Sequence, residues 1–424
     1  MSEIGNHAAR KVVHSLLGRL GSGQVVLRER DEQFVFGQPT EATPWSATIT
    51  VHDMHFYAAF VRGSLGLAES YSDGEWDCDD LVTLTRIGAR NMPALDRARA
   101  VYRVADRPLR LLDRALYKAH LHKEKTARHY NTGNELFEMF LDETMAYSCG
   151  VFESDEASLQ DASTAKFDRI CRKLELGPDL HVLEFGTGWG GFAIHAASNY
   201  GCRVTSATIS HAQLDYARQR VREAGVEHLV ELVEADFAAV EGSYDRLVSV
   251  EMIESIGWRR FDEFFAVCGR LLKPDGAMMM QAITIDDSAY EAEKYGRSFM
   301  NTLIFPGGSL PSNQFIANSV AKQTDMRMVG FEDLTSFYPI TLQHWRERFA
   351  ASAEEIEQLG YDLQFRRLWD LYLAYCAGGF LERRIMVGQT MLAKPEFRSE
   401  AQLMLETGRG SATEPAQRQL NAVA

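Results

Sequence analysis

The chain has 424 residues, 46% of them hydrophobic, with 45 Lys and Arg against 59 Asp and Glu, for a formal net charge of −14. That acidic balance opposes nonspecific attraction to nucleic acid or to an anionic membrane, so nucleic acid is not an expected partner and any lipid contact must be local. The N-terminus lacks an apolar signal core and the most apolar run, Ala277 to Ile285, is far too short to span a bilayer, so the expectation is a cytoplasmic protein with two domains or one enlarged one.

In chain order, residues 1–95 hold the strand-like runs QVVLRE, FVFG and SATITV and then GLAESYSDGEWDCDDL, the pattern of a small α/β domain with its own core. Residues 96–128 change character. From Arg97 to Arg128, ten Lys or Arg residues (Arg97, Arg99, Arg103, Arg107, Arg110, Arg114, Lys118, Lys123, Lys125 and Arg128) meet three acids, and apolar residues interleave as in a basic amphipathic helix broken near Pro108. Two readings stay open there: a solvated linker, or a surface that meets anionic headgroups.

The third region, 129–395, alternates strand and helix from about residue 160, as a doubly wound sheet does. Strands are expected at 182–186, 203–208, 229–234 and 245–252, helices from Gly190 and over 211–224 and 259–272, then a Lys273-Pro274-Asp275-Gly276 turn and a strand from Ala277. Residues 285–345 read as an insertion rich in Gly, Pro and aromatics, followed by helices over 341–358 and 362–385; residues 396–424 read as a flexible tail. Ligands of such sheets sit over the carboxyl ends of the strands, which should turn Glu184, Thr208, Asp236, Glu251, Glu254 and Gln281 toward one crevice. Six cysteines (Cys78, Cys149, Cys171, Cys202, Cys268 and Cys376) show neither a C-x-x-C pair nor zinc spacing and read as free thiols, with no metal site.

The most informative segment is VLEFGTGWGG, residues 182–191: an apolar strand with an acid, a glycine turn and a helix start. Glycines there let backbone approach a ligand where a Cβ would collide. Gly186, Gly188 and Gly191 also fit a dinucleotide fingerprint, but that reading needs an acid at the end of the second strand to bind the ribose, and RVTSATIS ends without one. The loop therefore points to S-adenosylmethionine, with Glu184 orienting the amino acid portion; a glycine turn without any ligand is the plainer alternative.

HYNTGNELFEMFLDETMAYSCGVFE (129–153), VLEFGTGWGGFAIHAA, TISHAQLDYA, SVEMIESIG, LIFPGGSLPS (303–312) and the late Tyr338 occur in an order that resembles the cyclopropane-fatty-acyl-phospholipid synthases and their mycolic acid relatives. The resemblance implies an α/β, Rossmann-like class I methyltransferase sheet with a smaller N-terminal α/β domain. It implies that the π electrons of a cis double bond in a phospholipid acyl chain attack the sulfonium methyl, giving a carbocation. Proton loss from the transferred methyl then closes a cyclopropane; after a hydride shift it leaves a methylene branch of the 10-methylene type. Such a cation needs dry, negative or π-rich walls, for which Tyr290, Tyr295, Phe299, Leu303 and Phe305 are candidates.

The family binds a bicarbonate ion as the base, and the residues carried over for it are Cys149, Glu254, Gln281, Ile283 and Tyr338. Cyclopropane-forming members typically have histidine where this chain has Gln281 and Ser255. A glutamine can donate a neutral hydrogen bond but cannot carry a proton. The VEMIE and QAIT pattern leans toward the methylene-forming branch. Glu254, just past an apolar strand, is expected at the base site, Glu251 to cap local structure only, and Cys149 to act through its backbone.

Cofactor contacts carried over are Tyr147 and Ser148 for the methionine portion, Gly186, Gly188 and Gly190 for a backbone cradle, Thr208, Ile209 and Gln213 near the ribose, and Asp236 and Phe237 around the adenine. Peripheral membrane contact follows from the substrate; a homodimer and a partner reductase that completes a branch are left open. Two other functions compete: methylation of a small soluble molecule on oxygen or nitrogen, which would need no N-terminal domain, and a noncatalytic lipid-binding protein.

Overall fold

Strands covered on both faces should be apolar almost throughout, and the run AMMMQA within the strand Leu272–Ile285 is buried at every position. The computed structural model describes residues 3–102 and 133–399. The basic stretch from residue 103 onward, the His129–Thr132 start of the first family motif and the tail from residue 400 lie outside the described residues.

Seven strands form the main sheet: β5 (His181–Phe185), β6 (Arg203–Thr208), β7 (Val230–Glu234), β8 (Tyr244–Val250), β9 (Leu272–Ile285), β10 (Arg327–Asp333) and β11 (Ile385–Ala393), in the order β10-β11-β9-β8-β5-β6-β7. Strands β5 to β9 pair in parallel, and β11 runs antiparallel to both its neighbours. Successive connections leave β5 in opposite directions, to β6 on one side and β8 on the other, so the crevice over their carboxyl ends is the ligand position. Helices Leu159–Lys173, Gly191–Tyr200, His211–Glu223 and Phe261–Leu271 accompany the parallel strands. The first starts on a capping box, in which Ser158 Oγ accepts from Asp161 N while the Asp161 carboxylate accepts from Ser158 N.

Two expectations change here. Lys273-Pro274-Asp275-Gly276, read as a turn, lies inside β9: the pairing steps from Tyr244↔Leu272 to Arg246↔Ala277, so these residues bulge out of a strand that has already begun. The 285–345 insertion contains the helices Asp287–Glu293 and Asn313–Gln323, a π-helical turn Met300–Ile304 and the edge strand β10. Strands β10 and β11 had no clear period-2 signal; pairing with β9 imposes β11, and pairing with β11 imposes β10. The closing helices are Tyr338–Ala351, Ala353–Gln358 and Leu363–Leu381.

The N-terminal region has a four-stranded sheet of β1 (Gly23–Glu29), β2 (Glu32–Gln38), β3 (Ser46–Val51) and β4 (Trp76–Cys78), in the order β2-β1-β3-β4, with the helices Glu3–Leu17, His55–Val61 and Ser64–Ser72. A further helix, Leu81–Tyr102, runs through the boundary expected at residue 95. Instead of a separate core, the buried residues Val13, Leu27, Ile49, Phe56 and Ile87 of the N-terminal region are continuous with Phe137, Trp345, Trp369 and Tyr372 of the methyltransferase region. Gly378 lets the helices 81–102 and 363–381 touch, since a Cβ there would fall 2.3 Å from Thr85 Oγ1. Across the same seam Arg367 donates to the carbonyls of Tyr71 (2.6 Å) and Trp76 (2.8 Å).

Candidate active site

The glycine turn is built as its composition requires. Gly186, Gly188 and Gly190 have φ of 94°, 51° and 86°, the left-handed region that favours glycine. A Cβ on Gly186 would come 3.0 Å from Met252 Cβ, whereas one on Gly188 would meet nothing within 4 Å, so the loop is open on the side where a ligand would lie. That cradle and the buried polar groups behind it fit S-adenosylmethionine. Glu184 is almost fully buried, and Ser206 Oγ lies 2.5 Å from its Oε2 and 2.7 Å from Thr187 Oγ1. Burial pushes the Glu184 carboxyl up to about 8, with the Ser206 hydrogen bond pulling back. A cationic amino group beside it would restore the carboxylate.

Around the crevice, Thr208 Oγ1 accepts from Ser210 N (3.1 Å), Gln213 is buried in the first turn of the helix capped by Ser210, and Ile209 stands exposed. Asp236 is gripped by Arg260, whose two terminal nitrogens each donate to a carboxylate oxygen at 2.8 Å and whose guanidinium lies 4.2 Å from the Phe237 ring centroid. The hydrogen bond to Asp236 is the main cause of the rise in the Arg260 pKa. Tyr147 shares a 2.7 Å hydrogen bond with Tyr372, and Ser148 Oγ accepts from Lys166 Nζ at 2.6 Å. Lys166 is fully buried; desolvation lowers its pKa, and the nearby carboxylates of Glu251 and Asp142 oppose that.

Cys149, Glu254, Gln281, Ile283 and Tyr338, separated by up to 189 positions, converge, with Glu251 at the centre. Glu251 Oε1 accepts from Cys149 N (3.0 Å) and Gln281 Nε2 (2.8 Å), and its Oε2 from Tyr338 OH (2.6 Å). Gln281 Nε2 also donates to Cys149 O (3.2 Å), while Gln281 Oε1 accepts from Gln389 Nε2 (3.1 Å) and so fixes which end of the amide faces Glu251. Tyr338 is stacked on Phe380 at 4.3 Å. Ile283 N donates to Glu254 Oε1 (2.5 Å), and Glu254 Oε2 is buried with no hydrogen-bond partner.

Electrostatics separate the two glutamates. Burial raises Glu251, but Tyr338, Gln281, Cys149 N and the charge of Lys166 favour its carboxylate. Glu254, with backbone donors only and Glu251 as a like-charged neighbour, is pushed by burial up to about 8. The Cys149 thiol is driven well above its usual range by burial, so its contribution is its backbone N–H. Glu251 has a φ of 49°, which costs a non-glycine residue about 1 kcal/mol.

Glu251, expected to face the crevice but with no role beyond a local cap, joins the cluster; Lys166, Gln389 and Arg260 were not anticipated. The one signal for Glu251 was a second acid three residues before Glu254 at the end of an apolar strand. The aromatic wall divides: Phe299 packs against Tyr375 (5.0 Å) and Phe305 against Tyr372 (5.6 Å), Tyr290 is buried, and Tyr295 and Leu303 are exposed.

This sheet order, with a glycine cradle at the switch point, defines a class I methyltransferase. Residues 117–390 match the family described as mycolic acid cyclopropane synthetase, and the chain belongs to that family. It is 36% identical over 365 residues to the tuberculostearic acid methyltransferase UfaA1 of Mycobacterium tuberculosis, covering 83% of this chain and 84% of that one. To the cyclopropane-fatty-acyl-phospholipid synthase of Escherichia coli it is 35% identical over 358 residues, covering 82% and 88%. Among solved structures, the mycolic acid cyclopropane synthase CmaA1 complexed with SAH and CTAB superposes with a TM-score of 0.60 at 29% identity, over 65% of this chain and 100% of that one.

Proposed function

We propose that this enzyme transfers the methyl group of S-adenosylmethionine to a cis double bond of an unsaturated phospholipid acyl chain, and that the product is a methylene-branched chain, with the cyclopropane as the alternative fate of the same cation. The observation that carries the reading is the half-buried carboxylate cluster around Glu251, set beside an open glycine cradle in a chain of this family. S-adenosylmethionine, when bound, supplies an electrophilic methyl group. Gly186, Gly188 and Gly190 give it backbone to lie against, Glu184, Tyr147 and Ser148 face its amino acid end, and Thr208, Gln213, Asp236 and Phe237 its nucleoside, with Ile209 at the exposed rim.

A carbocation in an acyl chain survives only where water is excluded and negative charge lies close. Phe299, buried in the same apolar cluster as Cys149 and Tyr338, supplies apolar wall, and Glu251 supplies charge. Bicarbonate, implied by the family resemblance, fits these side chains poorly. Of the groups expected to hold it, Cys149 N, Gln281 Nε2 and Tyr338 OH donate to Glu251, and Ile283 N to Glu254. No step is therefore assigned to it.

The leaning to the methylene product rests on Gln281, where cyclopropane-forming members typically have histidine; a reductase would then complete the branch. The acyl substrate requires peripheral membrane contact. No helix among the described residues is long and apolar enough to cross a bilayer, and the basic stretch 97–128 is the proposed anionic-lipid contact.

Incubation with S-adenosylmethionine and oleoyl phospholipid vesicles, followed by mass spectrometry and proton NMR of the acyl chains, tests the reading. Vinylidene protons are the expected result and high-field ring protons would assign the cyclopropane. No mass gain with any of several unsaturated lipids would overturn the function.

A further inference from the structure

A carboxylate and a bicarbonate present the same planar pair of oxygens to hydrogen-bond donors. In this protein that pair is covalently attached: the donors expected to hold the ion converge on Glu251, at 3.0 Å from Cys149 N, 2.8 Å from Gln281 Nε2 and 2.6 Å from Tyr338 OH. We propose that the Glu251 carboxylate is itself the general base, and that the enzyme works without bicarbonate.

Three further observations point the same way. The backbone at Glu251 is held at a φ of 49°, a conformation that non-glycine residues seldom adopt and that tends to mark functional positions. Gln281, locked by Gln389, offers Glu251 a neutral donor; a protonated histidine at that place would pair with the carboxylate and lower its basicity. Glu254, raised to about 8, holds a proton at neutral pH, whereas the donors around Glu251, namely Tyr338, Gln281 and Cys149 N, favour its carboxylate against the effect of burial.

The alkene π pair forms the new bond to the methyl carbon while the sulfur keeps the electrons of the broken S–C bond, leaving S-adenosylhomocysteine and a cation on the acyl chain. A hydride shift within the chain moves the cation to the carbon bearing the new methyl. Glu251 then takes a proton from that methyl, and the freed C–H pair becomes the exocyclic C=C bond; without the shift, the same pair closes the ring. The proton leaves Glu251 for solvent after the product departs.

This inference rests on the proposed function, and its test is arranged so that the two can fail separately. The full chain is assayed with S-adenosylmethionine and oleoyl phospholipid vesicles in carbon-dioxide-free buffer, with and without added bicarbonate. The same protein is titrated with carbon-13 bicarbonate and followed by NMR. Wild-type turnover is expected to be indifferent to bicarbonate, with no saturable binding.

Glu251→Gln should lose about 100-fold or more in turnover, the usual range for removing a general base, while still binding S-adenosylmethionine by calorimetry. Glu251→Gly, which relaxes the backbone at that φ, should bind bicarbonate saturably and regain activity when it is added. Wild-type turnover that collapses without bicarbonate, saturable bicarbonate binding by the wild type, or an unimpaired Glu251→Gln would each overturn the inference, and the first two require no variant to fold. If the wild type methylates no unsaturated lipid, the proposed function falls, while the NMR titration still reports whether the site takes the ion.

Discussion

The cofactor cradle and the carboxylate cluster lie over neighbouring strands of one sheet, yet they are made differently. The cradle is local: β5, three glycines and the first turn of the helix Gly191–Tyr200 supply it within a short stretch of chain, mostly through backbone. The cluster is assembled from Cys149, Glu251, Glu254, Gln281, Ile283, Tyr338 and Gln389, on separate segments, mostly through side chains. Backbone sites tolerate changes of side chain as long as φ is satisfied. Side-chain clusters can exchange one carboxylate for another and thereby alter the chemistry without disturbing the fold.

The contrast is tested hardest at its centre. Glu251→Gln is expected to reduce turnover by about 100-fold or more and to leave S-adenosylmethionine affinity intact, as steady-state rates and calorimetry would show; a matching loss of affinity would mean that the two halves are not separable. Tyr338→Phe removes one donor to a half-buried carboxylate, worth about 1–3 kcal/mol. It should slow turnover by about tenfold, again without weakening cofactor binding.

Gly186→Ala probes the other half, because a Cβ there would meet both an unfavourable φ and Met252. Its expected cost is about 1–2 kcal/mol of stability, read by thermal denaturation, together with weaker S-adenosylmethionine binding. Turnover at saturating cofactor should change little.

The smallest effect is a slope. Glu184 and Glu254 sit near 8 when folded, against an ordinary value of 4.5. Between those two values the native state holds protons that the unfolded chain has released, so stability falls as pH rises from 4.5 to about 8. Glu184→Gln, which mimics the protonated form, should flatten part of that slope and raise the melting temperature near neutral pH. An unchanged slope would show that Glu184 is ionised in the folded protein.

How much was legible in the sequence follows the same division. The glycine turn, the parallel strands β5 to β8 and the helices between them were readable because their signals are periodic or confined to a few adjacent residues. The bulge at Lys273-Pro274-Asp275-Gly276 was not: those residues favour a turn, and only the pairing of Leu272 and Ala277 with β8 on either side of them makes the segment a bulge within one strand. Strands β10 and β11 were missed because β10 is an edge strand with an almost wholly exposed pattern and β11 is set by pairing with β9. The five residues carried over for a base site did converge, but Glu251 was undervalued, since a strand-end acid looks the same in sequence whether it caps a turn or binds three distant donors.

The sequence by itself therefore determined the methyltransferase sheet, the place of the glycine turn between β5 and its helix and the membership of the family, because each depends on local pattern or on ordered motifs. Only the tertiary structure decided that the N-terminal helices share a core with the helix Leu363–Leu381, and that Cys149, Gln281 and Tyr338 give their hydrogen bonds to Glu251. Both depend on contacts between residues far apart in the chain, whose partners are fixed by packing and by the need to satisfy buried polar groups rather than by any neighbouring residue.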